Sequence, residues 1–138
     1  MVLTSNVEVQ TKGNCDIVDI TRHVAQGVTE SGFNAGTAVV FVAHSTAGIA
    51  AMECEPGLIK DFKALFERLA PAGIEYKHDL GSGEGNGHAH VRASLLGPSL
   101  SVPFSAGRLL LGTWQQIVLI DFDNRPRTRQ VLVQITGE

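Results

Sequence analysis

Four histidines fall where an element of structure should end. His44 closes the apolar run GTAVVFVA (36–43), His78 closes the tripeptide Tyr76-Lys77-His78, and His88 and His90 follow the glycine-rich stretch GSGEGNG at 81–87. Neutral imidazole is the commonest metal ligand, and it also titrates near physiological pH. Residues of this type at element edges point to a divalent metal centre or an acid/base site. His23 lies inside an expected helix with no chemical neighbour and reads as a surface residue.

The His-x-His at 88–90 depends on its backbone. On a strand both rings would share one face and could hold one ion, whereas on a helix two residues advance by about 200° and the rings diverge. Ala89, Val91, Arg92, Ala93, Leu95 and Leu96 form helix readily and Gly97-Pro98 supplies a stop, so the spacing predicts a helix from His88 to Leu96 with His90 toward the site. A strand over the same residues would add His88. The preceding glycines give that helix start unpaired N–H groups suited to phosphate or another anion, with Asn86 as a candidate cap. GSGEGNG matches neither the P-loop nor the dinucleotide fingerprint, and a solvated flexible loop is the competing reading.

The elements that must position these residues alternate between strand and helix signals along one continuous domain, 1–138, without repeat or linker. Val7 and Val9, then Lys12-Gly13-Asn14, then Ile17, Val18 and Ile20 read as a hairpin. A helix runs from Thr21 to Ser31 before Gly32, and GTAVVFVA has the pattern of a strand buried on both faces. From Pro56, Leu58, Phe62, Leu65, Phe66 and Leu69 recur at helical spacing. The last third gives a strand at 100–104, one long strand over 108–123 with a bulge at Gly112, and a final strand at 129–137 that closes a hairpin through Asn124-Arg125-Pro126-Arg127. Strands at both ends with helices between them make the class α+β with a mostly antiparallel sheet.

Composition supports a real core, with 138 residues, 43% of them hydrophobic. A net charge of −3 with scattered lysines and arginines argues against nucleic acid. No apolar stretch suits a membrane span or a secretory signal, so the expected location is the cytoplasm. Cys15 and Cys54 have neither Cys-x-x-Cys spacing nor the density of a disulfide scaffold, and read as buried free thiols.

The stretches VAHSTAGIAAMECEP (42–56), YKH (76–78), GNGHAHVRASLLGPSLSVP (85–103), LLLGTWQQI (109–117) and DFDNRPRTRQVLVQITG (121–137) together resemble the YjbQ family, an uncharacterised-protein family also labelled secondary thiamine-phosphate synthase. The resemblance covers the whole chain in one order. It implies a two-layer α+β sandwich of order β-β-α-β-β-α-α-β-β-β, a homotrimer with polar pockets near subunit boundaries, and a weak joining of hydroxymethylpyrimidine diphosphate to thiazole phosphate. The family motifs fall on His44, Ser45, Thr46 and Ala47, on Glu53, on Tyr76 and His78, on Asn86 and His90, on Gly112 to Gln115, and on Asp123 and Arg127. Where many members carry asparagine before the glutamate, this chain has Met52, a weak acceptor that cannot replace an amide.

These residue types suit displacement of pyrophosphate. His44, His78 and His90 are the candidate metal ligands, and Glu53 and His90 the candidate catalytic groups. Ser45, Thr46, Asn86, Gly87, His88 and Arg127 are candidates for binding the substrate, and Trp114 for stacking on a heteroaromatic ring. Trp114 also suits a core or subunit contact, and the arginines of 125–129 also suit a solvated turn paired with Asp123. Three histidines favour zinc, whereas diphosphate chemistry favours magnesium on oxygen ligands. Two other functions therefore stay open: a metal-dependent hydrolase of a small phosphorylated or acylated compound, and a trimer that binds a small anion without turnover.

Overall fold

The computed structural model describes residues 1–138. Eight strands and four helices follow in the order β1 (Val2–Thr11), β2 (Asp16–Asp19), α1 (Thr21–Ser31), β3 (Ala35–Val42), β4 (Ala47–Met52), α2 (Pro56–Leu69), α3 (Lys77–Ser82), α4 (Gly87–Leu96), β5 (Ser99–Ser105), β6 (Arg108–Leu109), β7 (Gln116–Asp121) and β8 (Arg127–Gly137). Every strand pair is antiparallel, in a five-stranded sheet β1-β8-β3-β5-β6 and a three-stranded sheet β2-β7-β4. The α+β class expected from the sequence holds. Two short elements, α3 and β6, add to the expected order.

The alternation of side chains along β7 explains the layering. Ile117 and Leu119 join Val40, Val42, Val131 and Val133 of the large sheet in the core between the sheets, where α1 also buries Val24 and Val28. Val118 and Ile120 point the other way, into a second core with Phe66 of α2 and Ala89 and Ala93 of α4. The small sheet is thus buried on both faces. GTAVVFVA, by contrast, is buried on one face only: Ala38, Val40 and Val42 are inside, while Thr37 and Phe41 are exposed on the outer side of the large sheet.

Neither expected hairpin forms. β1 pairs with β8 and β2 with β7, so the turn at Lys12 to Cys15 carries the chain from one sheet to the other. Gly13, Asn14 and Cys15 take successive left-handed conformations with φ of 78°, 55° and 64°. A Cβ on Gly13 would lie 2.5 Å from the carbonyl oxygen of Arg125, so this crossing requires glycine. β7 and β8 likewise lie in different sheets, and their connection packs beside the first crossing, with Asn14 N–H donating to Asp123 O at 2.6 Å. The long strand expected over 108–123 is broken rather than bulged: Gly112 N–H donates to Gln115 Oε1 at 2.8 Å, and Gln115 N–H donates back to Gly112 O at 3.0 Å.

Local signals set the helices well. α1 ends at Gly32 with φ of 71°, and α2 starts at Pro56 with the Glu55 carboxylate accepting from Gly57 and Leu58 N–H. α4 covers Gly87–Leu96, so the strand alternative for His-x-His does not occur. Both cysteines are free thiols, Cys15 buried and Cys54 half-buried. No helix is long and apolar enough to cross a membrane.

Candidate functional site

The end of β7 and the start of β8 each carry charged residues two apart, which a strand places on one face. Asp121 and Asp123 meet Arg127 and Arg129 there. Arg129 donates from Nε and Nη2 to the two oxygens of Asp121 at 2.7 and 2.8 Å, and from Nη2 to Thr46 Oγ1 at 2.6 Å. Arg127 donates from Nε and Nη2 to Asp123 Oδ2 at 3.1 and 2.8 Å. Thr11 and Thr46 hydroxyls donate to Asp121 and Asp123, and Asn86 Nδ2 donates to Asp123 Oδ1 at 3.2 Å. Both aspartates are fully buried.

Burial works against the charge of Asp123, but the hydrogen bonds from Asn124 N–H, Asn86, Arg127 and Thr46 outweigh it and lower its pKa to about 2. Asp121 is held below the usual carboxylate range in the same way, against burial, by Arg129 and Thr11. Two carboxylates and two guanidinium groups balance in charge. Paired and hydrogen-bonded throughout, they form a rigid base rather than a free positive patch.

Above this base runs a trough of three adjoining hollows of about 360, 310 and 290 Å³. Ala43, His44, Ser45 and His90 are shared by the first two, and Glu84, Asn86 and Arg127 by the last two. Phe41, Ala93 and Pro98 make one end apolar, while Arg125 and Asn124 make the other end polar. His44 leaves the end of β3, and its Nε2 accepts the N–H of Gln130 at 3.2 Å, so its neutral form carries the proton on Nδ1. Burial, then the positive charge of Arg129, lowers its pKa. Arg127 keeps its outer Nη1 edge free for a ligand because only its Nε side is turned to Asp123.

Helix α4 directs its two histidines apart. His90 lines the trough, and its ring packs against that of His78 with centroids 4.3 Å apart. His88 is buried behind the helix beside Tyr76, at 6.4 Å between ring centroids, and burial followed by the charge of Arg92 lowers its pKa. Asn86 precedes the helix without capping it, because its amide goes to Asp123. The helix start nevertheless holds an anion, and it is the protein's own: Asp79 Oδ1 accepts from Gly87 N–H at 2.8 Å. A Cβ on Gly87 would come within 2.6 Å of Tyr76, a close approach that explains this glycine of GSGEGNG.

Of the residues singled out from the sequence, His44, Ser45, Thr46, Asn86, His90 and Arg127 therefore share one trough, and His78 adjoins it through His90. Gly87 and His88 do not line it. Glu53 lies past the far end of β4, about 20 Å along the strand from Ala47. Trp114 belongs to the same distant end, near Gln116, and is exposed, so it is not a core residue of this chain. Asp121 was not singled out from the sequence, and Arg129 only as part of the arginine turn at 125–129; Thr11, Glu84 and Asp79 were also missed. Asp-x-Asp followed by Arg-x-Arg at strand ends was the available signal for the first two.

A resident metal is tested by its donors. The lone pair of His44 Nε2 is taken by Gln130 N–H, whereas the contact of His78 Nδ1 with Asp79 leaves its Nε2 open. No three His, Cys, Asp or Glu side chains are placed to hold one ion. His44, His78 and His90 thus converge without making the three-ligand set expected from the sequence, and the residues of one chain do not fit a resident zinc.

An antiparallel two-sheet sandwich carrying a histidine-lined trough on a neutral, buried lattice of charges is the class that fold and site define. The chain belongs to the UPF0047 protein YjbQ-like family, whose model matches residues 5–138. It is 40% identical over 125 residues to a UPF0047 protein of Archaeoglobus fulgidus, covering 91% of this chain and 94% of that one. It is 35% identical over 137 residues to the UPF0047 protein YugU of Bacillus subtilis, covering 98% and 100%. The structure of a YbjQ-like protein of unknown function from Sulfolobus solfataricus P2 superposes with a TM-score of 0.95 at 38% identity, covering 100% of this chain and 99% of that one. A family member from Clostridium acetobutylicum gives 0.88 at 39% identity, covering 96% and 99%.

Proposed function

We propose that the trough binds a small phosphorylated heterocycle and that the protein carries the weak thiamine-phosphate synthase activity its family resemblance implies. The observation that carries this reading is the continuity of the trough, from an apolar end at Phe41 and Pro98, past His44 and His90, to Arg127. A ring system suits the first end and a phosphate the second. In the reaction, the thiazole nitrogen attacks the methylene carbon of the pyrimidine, and the bond to the diphosphate oxygen breaks with both electrons leaving on pyrophosphate. His44 and His90 donate hydrogen bonds to the leaving oxygens, and the free edge of Arg127 holds the thiazole phosphate. The divalent ion of this reading is magnesium arriving with the diphosphate, in keeping with the donor set, which gives no three-histidine zinc site for the hydrolase alternative.

Glu53 reaches such a site only from a neighbouring copy, which agrees with the homotrimer the resemblance implies. Phe41 on the outer face of the large sheet, Leu110, and Trp114 at the Glu53 end of β4 are exposed apolar side chains that an assembly would cover. The free thiols support a cytoplasmic location.

The test supplies both substrates with magnesium and measures thiamine phosphate and pyrophosphate. Expected are product from the wild type, a loss of about a hundredfold in His90→Ala, and recovery when Glu53→Ala and His90→Ala subunits are mixed. Tight binding without product would instead favour the anion-binding trimer. Absence of both binding and product would refute the reading.

A further inference from the structure

We infer that Asp79 is a positioning residue, whose one carboxylate oxygen both anchors the start of helix α4 and fixes the imidazole of His78 with its proton on Nδ1 and a bare Nε2. Two contacts carry this. Asp79 Oδ1 accepts Gly87 N–H at 2.8 Å, the position that Asn86 leaves uncapped by turning to Asp123. The same Oδ1 lies 3.1 Å from His78 Nδ1. A lone pair on Nδ1 facing a carboxylate would be repelled, so Nδ1 carries the proton and donates it; Ser82 Oγ, at 3.4 Å, is the weaker neighbour.

The consequence reaches the trough. His78 packs on His90 at 4.3 Å between centroids, and His90 rides on the helix that Asp79 anchors. One carboxylate therefore sets the tautomer of the first imidazole and the placement of the second. A carboxylate hydrogen-bonded to a histidine orients the ring and fixes which nitrogen carries the proton. His78 Nε2 is left as an acceptor on the ring that packs against His90, complementary to His44, whose neutral form donates from Nδ1.

The tautomer part of this inference is independent of the proposed function, and the binding part rests on it. Nitrogen-15 NMR of the full chain at pH 8 is expected to show His78 protonated on Nδ1. Asp79→Ala should move that proton to Nε2 and speed hydrogen exchange of the Gly87 amide. Asp79→Asn keeps an acceptor for Gly87 N–H, so it should preserve the amide's protection while weakening the Nδ1–H preference. A wild type with the proton on Nε2, or a tautomer unchanged in both variants, would overturn the inference.

Titration with thiazole phosphate is expected to weaken about fivefold in Asp79→Asn, the equivalent of one ordinary hydrogen bond. It should weaken no further when that change is added to His78→Ala. Additive losses would contradict action through His78. A wild type that binds no thiazole phosphate defeats the proposed ligand, and the NMR result then decides the inference alone.

Discussion

The two ends of the small sheet are built in opposite ways. At one, Thr46, Asp121, Asp123 and Arg129 are buried and paired through hydrogen bonds of 2.6 to 3.1 Å. At the other, Glu53 and Trp114 are exposed, and the chain turns back on itself at Gly112 to Gln115. Both ends carry residues of the family motifs. The difference shows which of them a single chain can hold in place: His44, His90 and Arg127 stand beside a hydrogen-bonded base, while Glu53 and Trp114 are exposed to solvent.

The contrast has its largest expected effect on stability. Arg129→Leu leaves Asp121 buried without its partner and should lower unfolding free energy by about 3–5 kcal/mol, whereas Glu53→Gln should change it by no more than about 0.5 kcal/mol. Urea denaturation of both variants measures this, and similar losses would erase the contrast. Gly87→Ala comes next, because its new methyl meets Tyr76; up to about 3 kcal/mol is expected, against almost nothing for Gly81→Ala, which has no atom within 4 Å.

Acid should then weaken the lattice in a defined window. Asp123 has a folded pKa of about 2, below that of the unfolded chain, so its contribution is complete above the unfolded value near pH 4 and is lost as pH falls from there toward 2. The urea midpoint should drop over that range by the equivalent of about 2 kcal/mol, and Asp123→Asn should remove that part of the slope. An identical acid profile in the variant would show that other groups govern it. Smallest is Thr11→Val, which removes one hydrogen bond to Asp121 while keeping the shape, worth about 1 kcal/mol. Thermal unfolding against the wild type resolves it, and no change would mean that the hydroxyl is replaced by solvent.

What could be read in the sequence follows the range of the forces involved. Gly32, Pro56 and Gly97-Pro98 act within a turn of their helices, and the boundaries of α1, α2 and α4 follow from them. Strand partners are chosen across the molecule. Lys12-Gly13-Asn14 looks like a hairpin turn, yet three left-handed residues in a row send the chain to the other sheet, and Asn124 to Arg127 likewise joins strands of different sheets. His44, His78 and His90 could be picked out as polar rings at element ends, but the same rule also picks His88, which the geometry of α4 turns away from the trough. The pairing of Asp123 with the nearby arginines was legible from the turn that joins them, whereas the bond of Arg129 to Asp121 and the threonine contacts were not, since those partners come from strands in different sheets. Asp79 gave no signal either, being one acidic residue among many polar ones until the fold sets it against Gly87 and His78.

Calorimetric titration with thiazole phosphate of the wild type, His90→Ala and His23→Ala tests the trough most directly. His23 is an exposed residue of α1, and its variant should bind as the wild type does. His90→Ala should bind at least about tenfold more weakly while remaining folded. Equal affinity in the two variants would contradict the account.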